Sequence, residues 1–125
     1  MSTSLHLPDG VITIGSAEVF NKLVHGFRDH LLIVTFSTLH CGACKAFNPI
    51  YERVQQEMKE QNILFTKVDA EEQREISEQF SIMGTPSTLF IFRQKVKKRK
   101  VGLIPKGDLQ QIIKELLTEI ANISD

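Results

Sequence analysis

Residues 31–36 read LLIVTF, an apolar run of strand length that is rich in β-branched side chains. Because apolar and polar residues do not alternate in it, the run is typical of a strand that is covered on both faces, as in a parallel sheet. Parallel strands need long crossover connections, usually helices. The run therefore predicts a sheet with helices packed on its two faces.

Strand-like and helix-like segments alternate along the rest of the chain. Strands are predicted at 11–14, 31–36, 63–68, 87–92 and 96–103, and helices at 16–29, 41–60, 71–80 and 109–120. The last two strands follow each other closely and should form an antiparallel hairpin. The sequence thus predicts an α/β fold with a central mixed five-stranded sheet flanked by four helices.

Size and charge limit the organisation of the chain and its partners. The 125 residues suit one domain at 11–125, preceded by a polar, flexible arm at 1–10. The formal net charge is zero, so no global field attracts nucleic acid or membranes. No apolar run approaches the roughly 20 residues of a membrane span, and the N-terminus lacks a secretory pattern. We expect a cytoplasmic protein that binds neither nucleic acid nor membranes.

The only two cysteines, Cys41 and Cys44, lie two residues apart, directly after the first apolar run. This spacing between a strand and a helix is typical of a redox-active dithiol. The unpaired N–H groups and the dipole of a helix N-terminus favour a thiolate on the first cysteine. Cys41 is therefore the candidate nucleophile, and Cys44, one turn deeper, is the candidate thiol that resolves a mixed disulfide.

Two other interpretations apply to the cysteine pair. Two thiolates are half of a tetrahedral zinc site, and His40 adjoins them. The chain has no second C-x-x-C, so a closed metal site would need His40 and one further ligand, or a second chain. The cysteines could also be incidental core thiols. His40 itself is either an exposed polar residue or, when protonated, a cation that favours the Cys41 thiolate.

Over roughly residues 11–122 the chain resembles the thioredoxin family. The matching pieces are VTFSTLHCGACK (34–45), Pro49 within the second helix, KVD (67–69), IMGTP (82–86) and KVG (100–102). The resemblance implies the thioredoxin fold, with Cys41 as nucleophile and Cys44 as resolving thiol. It also implies a cis Thr85–Pro86 peptide bond that faces the cysteines.

The resemblance further implies a substrate surface and a set of partners. The residues that it assigns to substrate binding are Gly42, Ala43, Gly84, Thr85, Pro86 and Gly102. It implies disulfide-containing protein substrates, an electron donor of the thioredoxin-reductase type, and no cofactor other than the disulfide itself. It also implies a monomeric protein-disulfide reductase.

Several residues near the cysteines depart from the family pattern. His40 stands where the family usually has tryptophan, and Ala43 stands where it has proline. Thr35 replaces a buried aspartate that serves as proton acceptor for the resolving thiol. Lys67, which usually accompanies this aspartate, would then lack its partner and could favour a Cys44 thiolate. These departures keep open a second interpretation, a thioredoxin-fold adaptor that binds a metal or a cluster through the C-x-x-C.

A basic run, RQKVKKRK, occupies residues 93–100. Such a run is found in nucleic-acid contacts, in contacts with acidic partners and in nuclear import signals. We favour a hairpin instead, in which the lysines prevent an edge strand from pairing with other chains.

Overall fold

The computed structural model describes residues 7–123, and these form five strands and four helices in the predicted order. The elements are β1 (Ile12–Thr13), α1 (Ala17–Gly26), β2 (Leu31–Ser37), α2 (Gly42–Glu57), β3 (Ile63–Asp69), α3 (Arg74–Gln79), β4 (Ser87–Phe92), β5 (Lys95–Val101) and α4 (Lys106–Ile123). Most of the predicted arm, residues 1–6, lies outside the described residues. The division into an arm and a domain stays a prediction.

The sheet is mixed, with the strand order β1-β3-β2-β4-β5. Strands β1, β3 and β2 are parallel, whereas β4 is antiparallel to β2, and β5 is antiparallel to β4. The carboxyl ends of β2 and β3 therefore lie at the same end of the sheet as the start of β4 and the end of β5. In the middle of the sheet, Thr35 lies between Lys67 of β3 and Thr88 of β4.

Helices cover both faces of the sheet, so β2 is buried at six of its seven positions. Ile33 belongs to a core cluster that contains side chains of α2 and α4. Its neighbour Val34 belongs to a second cluster, which contains side chains of α1 and α3. This alternation across the strand confirms the expectation of a strand that is covered on both faces.

Local hydrogen bonds decide where the helices begin and end. Ser16 caps α1 as expected, since its hydroxyl accepts from the Val19 N–H at 3.1 Å. The helix ends at Gly26, three residues before the predicted end. Helix α3 is shorter than the predicted 71–80, because the Asp69 carboxylate accepts from the N–H groups of residues 71 and 72 and holds a turn there.

The hairpin between β4 and β5 is tighter than the sequence suggested. Arg93 and Gln94 both have positive φ angles, 50° and 68°, as in the two-residue turns that fit the twist of antiparallel strands. Such turns usually contain glycine or asparagine, and neither is present here. Strand β5 begins directly after this turn, at Lys95, one residue before the predicted start. It ends at Val101, two residues before the predicted end at 103.

Candidate redox site

Cys41 and Cys44 are joined by a disulfide at the junction between β2 and α2. Cys41 is the N-cap of α2, and its Sγ accepts a hydrogen bond from the Cys44 N–H at 3.0 Å. Cys41 is partly exposed, whereas only 1% of Cys44 is accessible. Substrate can therefore reach the sulfur at the helix end but not the one behind it.

The N-terminus of α2 provides the electrostatics of this junction. The helix has 16 residues, and in its first turn the Cys44 N–H donates to the Cys41 Sγ. The positive end of the dipole favours negative charge at this position. The arrangement can therefore hold a Cys41 thiolate once the disulfide is reduced.

A second loop faces the disulfide from the start of β4. The Thr85–Pro86 peptide bond is cis, as the resemblance implied. The Cys41 Sγ lies 3.4 Å from the Thr85 carbonyl oxygen, and the hydroxyls of Thr38 and Thr85 are also 3.4 Å apart. The Gly102 N–H donates to the Pro86 carbonyl at 2.7 Å, which attaches the end of β5 to the same loop.

The glycines of this surface differ in what their positions require. Gly102 has a φ of +96°, a conformation that side chains rarely adopt. A Cβ atom at Gly84 would only meet Val101 at 3.7 Å, an ordinary contact, and one at Gly42 would meet nothing within 4 Å. Neighbouring groups within the protein thus leave space at Gly84 and Gly42.

Uncharged hydroxyls lie around position 35, where the family that the sequence resembles usually has a carboxylate. Thr35 is 1% exposed, and its hydroxyl is 3.0 Å from that of Thr88. The fully buried Tyr51 donates to the Thr66 carbonyl at 2.7 Å. Burial raises the Tyr51 pKa far above its usual value, and hydrogen bonds with Thr35 and the Thr66 backbone offset only part of this effect. Tyr51 is therefore a neutral hydrogen-bonding group, not a base.

Sequence reasoning missed three residues of this region, Tyr51, Thr88 and Thr38. The sequence predictions place Tyr51 within the helix at 41–60 and Thr88 within the strand at 87–92, without a role in the site for either. A threonine within each of two buried strands is the one signal that the sequence offers, because buried hydroxyls need partners.

Lys67 and His40, two predicted tuning residues, lie in different surroundings. Lys67 is partly buried and lines a polar cavity of about 310 Å³ with Glu52 and Gln55 of α2. Within residues 7–123 no carboxylate lies within ion-pair distance of its ammonium group. His40 is exposed beside the disulfide. An influence of either residue on the sulfurs stays a prediction.

The structure offers no support for the metal-binding alternative. Over residues 7–123, no three His, Cys, Asp or Glu side chains form a group that could hold a metal ion. In the same part of the chain, none of the helices has the length and apolar character needed to cross a membrane.

A disulfide at a strand–helix junction, with one accessible sulfur and a facing cis-proline loop, defines a thiol–disulfide oxidoreductase. The sequence profile of the thioredoxin family matches residues 11–115. The chain belongs to the thioredoxin family, and it reduces protein disulfides by dithiol–disulfide exchange. The fold, family and activity predicted from the sequence are thereby confirmed.

Individual relatives show the same likeness. Thioredoxin from Borreliella burgdorferi is 32% identical over 116 residues, which cover 92% of this chain and 97% of that protein. Thioredoxin from Mycoplasmoides gallisepticum is 35% identical over 83 residues, 66% of this chain and 81% of that protein. The Fasciola hepatica thioredoxin structure superposes with a TM-score of 0.78 at 25% identity, over 84% of this chain and 98% of its own.

Proposed function

We propose that Cys41 is the attacking thiol of this reductase and that Cys44 resolves the mixed disulfide. The observation that carries the assignment is the difference in exposure, since Cys41 is partly exposed and Cys44 is 1% exposed. A second support is the position of Cys41 as N-cap of α2, where a thiolate is favoured.

The exchange balances in two steps. The Cys41 thiolate attacks one sulfur of a substrate disulfide, which forms a mixed disulfide and expels the other substrate sulfur as a thiolate. The Cys44 thiolate then attacks the Cys41 sulfur and expels the remaining substrate sulfur, and the Cys41–Cys44 disulfide forms. Both substrate sulfurs take up protons, and two electrons pass from the protein to the substrate.

The substrate segment on each side of its disulfide would lie across the loops around Cys41. The proposed contact residues are Gly42, Ala43, Gly84, Thr85, Pro86 and Gly102. The space at Gly42 and Gly84 and the 3.4 Å between the Cys41 Sγ and the Thr85 carbonyl oxygen support this surface, because substrate backbone can approach the sulfur there.

The electron donor and setting complete the proposal. A reductase of the thioredoxin-reductase type would return two electrons to the Cys41–Cys44 disulfide, with no further cofactor in this chain. We place the protein in the cytoplasm as a monomer that acts on disulfide-containing proteins. Family membership supports the donor and the substrates.

Reduction of a disulfide-bonded test protein by dithiothreitol, with and without this chain, tests the activity. Cys41→Ser should abolish the acceleration. Cys44→Ser should accumulate mixed disulfides, visible on non-reducing gels, because attack occurs but release does not. Full turnover by Cys44→Ser would overturn the assignment of the two thiols. Metal analysis of anaerobically purified protein checks the adaptor alternative, and a stoichiometric metal would contradict the proposal.

A further inference from the structure

The edge strand β5 carries a dense row of positive charge, which we name the basic edge. Every residue of β5 is exposed, and among the strands that residues 7–123 form, only β4 pairs with it. The basic edge consists of Lys95, Lys97, Lys98, Arg99 and Lys100. Five of the seven residues of β5 are cationic although the chain as a whole has no net charge, so positive charge is concentrated on this strand.

Contacts within the protein occupy only part of the basic edge. Lys97 pairs with Glu119 of α4 at 3.3 Å, and Arg99 donates to the Phe80 carbonyl. Among the described residues, 7–123, no carboxylate lies within ion-pair distance of Lys98 or Lys100. These two lysines are two positions apart on a strand, so they project from the same face. They form a pair of cations that is available to another molecule.

The basic edge is continuous with the redox site. Lys100 lies opposite Thr88, and Val101 lies opposite Ser87, the first residue after Pro86. The Gly102 N–H donates to the Pro86 carbonyl, so the end of β5 is bonded to the loop that faces Cys41. With about 3.4 Å per strand residue, Lys98 lies only about 7 Å further along the strand than Lys100.

The opposite flank of the site is acidic. Glu71 and Glu72, both exposed, follow the end of β3. In the strand order, β2 with its disulfide-bearing loop lies between β3 and the pair β4–β5. The strand order therefore places two exposed acidic residues on one side of the disulfide-bearing loop and the basic edge on the other.

We infer that the basic edge docks acidic segments of protein substrates, so that disulfides beside a run of aspartate or glutamate are reduced faster. The inference rests on the proposed function and names its substrate class. A peptide partner fits better than nucleic acid, because residues 95–101 contain no aromatic side chain on which bases could stack. The basic edge also leads directly to the sulfur that a protein disulfide must reach.

Two synthetic peptides with the same cyclic disulfide, one flanked by glutamates and one by glutamines, test the inference. The measured quantity is the second-order rate constant for oxidation of the prereduced full chain. At low ionic strength the glutamate peptide should react about tenfold faster, and the ratio should approach one at about 0.5 M salt. Equal rates for the two peptides at low salt would refute the inference, whereas failure of both to react would refute the proposed function.

Charge reversal separates docking from edge protection. Lys98→Glu with Lys100→Glu keeps the edge charged and thus still protected from pairing, but it should remove most of the preference for the glutamate peptide. The rate with the glutamine peptide at high salt should equal that of the natural protein, which checks that the disulfide site is intact. An unchanged preference in this variant would contradict the inference.

The matched control is Lys59→Glu with Lys114→Glu, two exposed lysines outside β5. It changes net charge equally and should keep the preference for the glutamate peptide. If this control lost the preference as completely as the variant of Lys98 and Lys100, the net charge of the protein and not the basic edge would explain the preference. Fluorescence anisotropy with a labelled DNA duplex tests whether the basic edge binds nucleic acid instead. Micromolar binding of the duplex, together with equal rates for the two peptides, would overturn the inference.

Discussion

Replacement of Thr35 by aspartate should accelerate the resolving step. Cys44 is 1% exposed, and a buried thiol resists the loss of its proton because the charged form is poorly solvated. Thr35, Thr88 and Tyr51 supply hydroxyls but no base. In the natural protein we therefore expect resolution to be slow near neutral pH and to rise about tenfold per pH unit, since only the thiolate attacks.

The surroundings of Thr35 set the size of the effect. A positioned general base contributes about 100- to 10,000-fold, and less for a thiol than for a weaker acid, so we expect about tenfold near pH 7. The Thr88 hydroxyl, now 3.0 Å from that of Thr35, could donate to the new carboxylate, and Lys67 lies opposite in register. Burial of the carboxyl should lower the free energy of unfolding by about 1–3 kcal/mol.

A chromogenic aryl disulfide separates the two steps, because attack by Cys41 releases the first thiolate and resolution by Cys44 releases the second. Stopped-flow absorbance across pH gives the resolution rate, and Cys44→Ser should show only the first release. Thr35→Asn is the matched control, similar in size but without a base. The reasoning is refuted if the natural protein shows a flat pH profile, or if Thr35→Asn accelerates resolution as much as Thr35→Asp.

Three further changes concern stability. Tyr51→Phe should lower the free energy of unfolding by about 1 kcal/mol in a denaturant titration, because the Thr66 carbonyl loses a buried donor; an unchanged value would show that the bond contributes nothing. Burial lowers the His30 pKa, so the contribution of this group to stability is fully present above its usual pKa of 6.5 and is lost on acidification. Between about pH 7.5 and 5.5, the melting temperature of His30→Gln should therefore fall less than that of the natural protein. An equal fall in the two proteins would contradict this. The Lys106 hydrogen bond lowers the pKa of exposed Glu57, so this contact favours folding above about pH 4.5 and not in acid. Because the pair is exposed, Lys106→Met should cause only a small fall in melting temperature at pH 7. A large fall would contradict this.

The order of strands and helices was predictable because each depends on a pattern within one segment. The apolar run at 31–36 and the helical spacing after Cys41 identify β2 and α2 without tertiary information. The ends of elements were less predictable, because they depend on single hydrogen bonds and turn conformations. The Asp69 carboxylate accepts hydrogen bonds that shorten α3. The hairpin turn forms through positive φ angles at Arg93 and Gln94, although neither glycine nor asparagine is there to indicate such a turn in the sequence.

The site was predictable in its sulfur chemistry and not in its buried surroundings. Two cysteines at helix spacing point to disulfide exchange, and the resemblance supplied the cis bond at Thr85–Pro86. The Tyr51 hydroxyl meets the backbone of Thr66, 15 residues away, and the Thr38 hydroxyl meets that of Thr85, 47 residues away. Such contacts depend on helix packing and strand register, which periodicity does not specify.

Within residues 7–123, none of the fully buried side chains is charged. The N-terminus of α2 places the positive end of a helix dipole at Cys41, which favours a thiolate there. No fully buried carboxylate is present in the described part of the chain to accept the proton of buried Cys44, so we expect this proton to leave to water, to the departing substrate thiolate, or under the influence of Lys67. Docking, by contrast, depends on exposed lysines whose fields salt screens. Attack and resolution should consequently respond to different conditions, with ionic strength changing the rate of the first and pH the rate of the second.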